Sequence, residues 1–108
     1  MAGEKRGEML DSEQARKFLS SITDQGKCFW LKSGQVLKNV EELLNAIENA
    51  PEDVFKHHVA ADHNDFANWI KDVIGDKALA NSINRIKTRK GTIEALRKRI
   101  TYLKAIAK

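Results

Sequence analysis

Apolar positions recur at helical spacing along most of this chain, and each run is bracketed by residues suited to start or stop a helix. Ala15, Phe18, Leu19 and Ile22 follow Asp11 and Ser12, which predicts a helix over 12–22 with an N-cap at its head. Val40, Leu43, Leu44 and Ile47 predict a helix over 40–49, and Asn39 with Glu42 three residues on forms a capping box with Asn in place of Ser or Thr. Pro51 suits the first position of the next helix, where Glu52 and Asp53 face the positive end of the dipole and Val54, Phe55 and Val59 form the buried side. A kink at Ala61 or Asp62 leads to a helix capped by Asn64, with Phe66, Trp69, Ile70 and Val73 as its apolar face and Gly75 as its stop. Asp76 caps another, carrying Leu79, Ile83 and Ile86. Lys87 to Gly91 breaks the pattern, and Thr92 caps a last helix over about 93–107.

One stretch departs from the helical period. Cys28-Phe29-Trp30-Leu31 and Val36-Leu37 flank Lys32-Ser33-Gly34-Gln35, the signature of a β-hairpin. Two short strands are not stable alone in water, so this hairpin must lie on helices. The pattern therefore predicts a mainly α (α+β) fold. It is a single small helical domain of about five to six helices with a short hairpin near residues 28–38, spanning 11–108 after a flexible lead over 1–10.

Composition narrows the class. A chain of 108 residues can build one core without metal or disulfide help, and 42% hydrophobic residues are too many for disorder throughout. The lone Cys28 excludes a disulfide scaffold and a Cys-based zinc finger, and it is expected to pack as a small apolar residue. No apolar run approaches the roughly 18–20 residues of a membrane span. Met1 to Met9 lacks the apolar stretch of a secretory signal, and Glu4 and Glu8 argue against a transit peptide, so a cytoplasmic protein is expected. No cofactor and no small-molecule substrate are implied.

The formal net charge of +4 hides a split. Residues 1–80 carry ten basic and fourteen acidic side chains. Residues 81–108 carry Arg85, Lys87, Arg89, Lys90, Arg97, Lys98, Arg99, Lys104 and Lys108 against Glu94 alone, a local +8. On the last helix Ile93, Leu96, Ile100, Leu103 and Ala107 form a seam about two heptads long, with the cations off it. Such a face can neutralise phosphates with release of counterions, and Tyr102, also off the seam, can stack on a base or simply cover neighbouring stems. Two other uses compete. The acidic helices around Glu41, Glu42, Glu48, Glu52 and Asp53 could face the basic helix, or the seam could serve self-association or a protein partner. No nucleic-acid signature motif is present, and the helix carries no Trp or Phe to anchor it in lipid.

Candidate chemistry is concentrated in residues 57–72, HHVAADHNDFANWIKD, which hold all three histidines and Trp69. His58 and Asp62, spaced i, i+4, would share one face of a continuous helix, with His63 or Asp65 completing a nitrogen and oxygen ligand set suited to zinc. His58 with Asp62 or Asp65 could instead act as a general base, though no nucleophile motif or phosphate loop accompanies it. The third reading is structural: Asn64 and Asp65 start a helix, Phe66, Trp69 and Val73 pin it to the hairpin, and a neutral His58 hydrogen-bonds across the junction. That reading is favoured for Asn64, Asp65 and Trp69.

The run FWLKSGQVLK, then NVEELLNAIENAPEDVFKHHV, then NDFANWIKDVIGDKALA resembles a domain of unknown function found mainly in archaeal proteins, alone or appended to larger enzymes. The resemblance lies in Phe29, Gly34, Glu42-Leu43, Phe55, His58-Val59, Asn64-Asp65-Phe66, Trp69-Ile70, Asp72-Val73 and Leu79-Ala80, within about residues 28–90. His57 and His63 stand outside the pattern. The resemblance implies no reaction, and an appended module implies binding. The expectation is thus a non-enzymatic intracellular binding module whose basic last helix engages a polyanion, most plausibly nucleic acid. The alternative is a homo-oligomeric or adaptor module using the seam, and the third is an enzyme centred on His58.

Overall fold

Asp11 accepts the Gln14 N–H at 2.8 Å and so caps the first helix, α1, Ser12–Leu19, in a computed structural model that describes residues 10–108. The flexible lead expected over 1–10 lies, apart from Leu10, outside the described residues. Ser20 leaves the helix with extended backbone, so Ile22 reaches the core from the following loop rather than from α1.

The expected hairpin is present: β1, Phe29–Trp30, pairs antiparallel with β2, Val36–Leu37. Gly34 takes φ +102° in the turn, which a side chain rarely tolerates, and its N–H closes onto the Leu31 carbonyl at 2.8 Å. Strand alternation sends Phe29 and Leu37 inward and leaves Trp30 56% exposed.

Helix α2, Val40–Asn49, has the predicted bounds, and Asn39 Oδ1 accepts the Glu42 N–H at 2.8 Å. The reciprocal arm of the box differs: Glu42 Oε1 accepts from the Lys38 N–H, one residue before the cap. Helix α3, Glu52–His58, starts one residue later than expected, with Pro51 as its N-cap. It then ends without a kink. A second small hairpin follows, β3, Val59–Ala60, paired with β4, His63–Asn64, around the turn at Ala61 and Asp62.

Asn64 caps α4, Asp65–Trp69, through Ala67 N–H at 3.0 Å, and the helix continues as a π turn over Ile70–Ile74. The Gly75 N–H reaches back five residues to the Ile70 carbonyl at 2.7 Å, with Gly75 left-handed at φ +92°. The wider turn rotates Ile74 into the core and leaves Val73 half-buried, reversing the expectation from a regular period. Asp76 caps α5, Lys77–Asn84, in which Leu79 and Ile83 are buried.

The last helix, α6, Arg89–Ile106, begins four residues earlier than the predicted 93. Thr88, not Thr92, is its cap, accepting the Gly91 N–H at 3.1 Å, while Thr92 sits buried inside the helix and donates to the Thr88 carbonyl at 2.8 Å. Gly91 looks like a breaker in sequence, but here it permits close approach: a Cβ would lie 2.7 Å from Ile86 Cγ2 and 2.9 Å from Thr88 Oγ1. Helix α6 packs on α1, α2 and α5, and the Arg16 guanidinium donates to the Ala107 carbonyl at 3.1 Å. Phe29, Leu37, Val40, Leu43, Phe66, Ile70, Ile83 and Leu96 belong to one continuous core beneath these elements. The expectation of a mainly α fold with a short hairpin therefore holds: the described residues form six α-helices and two small hairpins, the second of which the sequence did not announce.

Replacing Gly91 by Ala tests the close approach. Helix propensity alone predicts a gain of about 1 kcal/mol. The steric account predicts a net loss of about 1–3 kcal/mol in urea denaturation, and an unchanged or raised midpoint would contradict it.

Candidate functional site

His58 ends α3 and turns its ring inward, where it meets Phe29 at 5.0 Å and Phe66 at 5.2 Å between ring centroids. Its side chain is 6% exposed. The Lys32 N–H donates to Nε2 at 3.0 Å, so that nitrogen carries no proton. Nδ1 therefore holds the proton and donates to Asp65 Oδ2 at 3.0 Å. One neutral ring thus bolts the first hairpin to the junction of α3 and α4.

Asn64 is 1% exposed and works in two directions. Its carbonyl oxygen caps α4, and its amide donates to the Ile83 carbonyl at 3.1 Å, joining α4 to α5. Trp69 donates its indole N–H to the Lys27 carbonyl at 2.8 Å and packs edge-on against Phe29, 5.8 Å away. Asp72 is exposed and joins none of these contacts.

The spacing argument for a His58–Asp62 pair fails because the helix stops at His58. Asp62 instead pairs with His63 at 2.9 Å on the exposed second hairpin, and the other nitrogen of His63 meets the His57 carbonyl at 3.5 Å. The His63 hydrogen bond holds the Asp62 carboxyl below its usual 3.8, helped at longer range by Lys87. The Asp62 hydrogen bond raises His63 above 6.5. Both shifts favour the charged pair. Its contribution is complete between those two ordinary values, fading as pH falls through the lowered Asp62 value or rises through the raised His63 value. Among the described residues no group of three or more His, Cys, Asp or Glu is placed to hold a metal ion. As a dyad, His58 and Asp65 resemble a base with its orienting carboxylate, but the backbone of Lys32 takes the nitrogen that a substrate would need.

The basic quarter divides into two groups. Arg99 makes a two-pronged ion pair with Asp76, both contacts at 2.8 Å, and the carboxylate is nearly inaccessible. Lys104 pairs with Glu41 at 3.0 Å and Arg97 with Glu48, so α2 supplies two of the acids expected to face this helix. Arg89 donates to the carbonyls of Ile47 and Glu48, satisfying the C-terminal end of α2. Arg85, Lys87, Lys90, Lys98 and Lys108 are exposed and form no ion pair among the described residues. The apolar seam is not on the surface: Leu96, Ile100 and Leu103 are buried by the chain's own helices. Cys28 is buried as a small apolar residue would be.

Sequence reasoning did not find the groove between α5 and α6. Its volume is about 470 Å³, and Leu79, Ala95, Lys98 and Tyr102 are among its lining. The visible signal was the small residues Ala78, Ser82 and Ala95 on two consecutive helices.

A family model described as a family of unknown function, DUF5752, matches residues 24–106. The chain belongs to this family. DUF5752 thus covers both hairpins, the His58 junction and all of α6, while α1 lies before the matched span. No curated protein and no solved structure matches the chain.

Substituting His58 by Phe keeps a ring between Phe29 and Phe66 but strands the Lys32 N–H and the Asp65 carboxylate. The expected loss is about 1–3 kcal/mol in urea denaturation, followed by tryptophan fluorescence. Undiminished stability would show that the two hydrogen bonds fix nothing.

Proposed function

We propose that the protein is a non-enzymatic binding module whose α6 surface engages a polyanion, most plausibly nucleic acid. One observation carries this reading. After the chain's own acids and carbonyls have engaged Arg89, Arg97, Arg99 and Lys104, the last quarter still presents Arg85, Lys87, Lys90, Lys98 and Lys108 to solvent. Glu94 is the one carboxylate in that stretch. A set of exposed cations on the last helix and the segments that flank it is suited to phosphates, because each contact releases condensed counterions. Binding rather than turnover is supported at His58, whose two ring nitrogens both serve the fold. Among the described residues no helix is long and apolar enough to cross a membrane. A cytoplasmic setting suits the lone thiol of Cys28.

The test is a titration of fluorescently labelled single- and double-stranded oligonucleotides over a range of salt. With three to five phosphate contacts, log affinity should fall against log salt with a slope of about −2 to −4. Absence of binding at low salt, or binding without a salt slope, would overturn the proposal.

A further inference from the structure

We infer that the groove between α5 and α6 is a slot for an unstacked nucleobase, so that the polyanion is a single strand. The inference rests on the polyanion reading and narrows it. Ala78, Leu79 and Ala95 give the groove an apolar lining too small to fill it, leaving about 470 Å³ open to solvent. Such a volume lies within the range of small-ligand sites. Ser82 adds a hydroxyl able to donate to or accept from a base edge.

Tyr102 stands at this groove 43% exposed, and with Trp30 it is one of two large hydrophobic side chains left on the surface among the described residues. An exposed aromatic ring beside an exposed cation, here Lys98, is the combination that single-strand binders use, since every base has a face to stack and every nucleotide a phosphate to neutralise. Lys98 lies one helical turn before Tyr102 on the same side of α6, next to the ring. It can hold the phosphate of the nucleotide whose base enters the slot.

The ring is positioned in advance. The Arg99 guanidinium lies 5.3 Å from the Tyr102 centroid, and Asp76 holds Arg99 with two hydrogen bonds. Arg99 thereby supports the platform with its charge balanced, whereas Lys98 remains available. The connection between the two helices that form the groove carries two further exposed cations, Arg85 and Lys87. A duplex keeps its bases stacked inside and could use the cations but not the slot.

Anisotropy titrations of the full chain with a labelled oligothymidylate, a duplex of equal length and inorganic polyphosphate separate these contributions. The unmodified protein should prefer the single strand. Tyr102→Ala should weaken single-strand binding roughly 5- to 150-fold and leave duplex and polyphosphate binding unchanged, and Tyr102→Trp should restore it. The side chain is half-exposed, and circular dichroism checks that the Ala variant is folded. If Tyr102→Ala binds the single strand as tightly as the unmodified protein, or if that protein shows no preference for the single strand, the slot is refuted while the polyanion reading stands. Binding of none of the three polyanions would refute both.

Discussion

The ion pair between Arg99 and Asp76 is the constraint on which the proposed binding surface depends. Asp76 is 1% exposed, and a carboxylate so far from water is costly unless each oxygen is engaged. Here one oxygen accepts both the Leu79 N–H that starts α5 and one guanidinium nitrogen, and the other accepts the second prong. Three donors on two helices therefore converge on one side chain. The pair ties α6 to α5 beside the groove and holds the guanidinium that lies against Tyr102.

The same logic recurs wherever a polar side chain is buried. His58 bridges the first hairpin and α4, Asn64 bridges α4 and α5, and Thr92 ties the first turn of α6 back to its cap. Each is hydrogen-bonded, as buried polar groups must be, and His58 and Asn64 sit where two elements meet. The apolar core gives these elements a reason to pack but little orientation. The polar junctions supply the orientation. At His58 this requirement consumes the very nitrogens that would otherwise invite a catalytic reading.

Helix starts were legible because caps are local: Asp11, Asn39, Asn64 and Asp76 act through N–H groups three residues away. The first hairpin was legible from its Gly34 turn. The second was not, because two-residue strands are too short to show a period. The π turn before Gly75 escaped because it adds a residue to one turn without changing composition, shifting burial from Val73 to Ile74. The start of α6 was misplaced because Gly91 signals a break in isolation, whereas its role is steric and depends on Ile86. Of the two partners weighed for His58, Asp65 is the one that pairs and Asp62 does not, for a related reason: the spacing argument for Asp62 assumes that the helix continues. Charge showed the largest gap between sequence and structure. A local excess of +8 was readable, but which cations meet Glu41, Glu48 and Asp76 depends on the packing of α2, α5 and α6.

The partition of the basic quarter into structural and available cations is the central claim, and paired neutralisation measures it directly. One variant carries Gln at Arg85, Lys87, Lys90, Lys98 and Lys108, and the other carries Gln at Arg97 and Lys104. Affinity for a labelled single strand is read alongside the melting temperature. The account predicts that the first variant melts as the parent does and loses binding, while the second binds within about twofold and loses only the roughly 0–1 kcal/mol of each exposed pair. Equal loss of binding in the two variants, or full binding by the first, would contradict it.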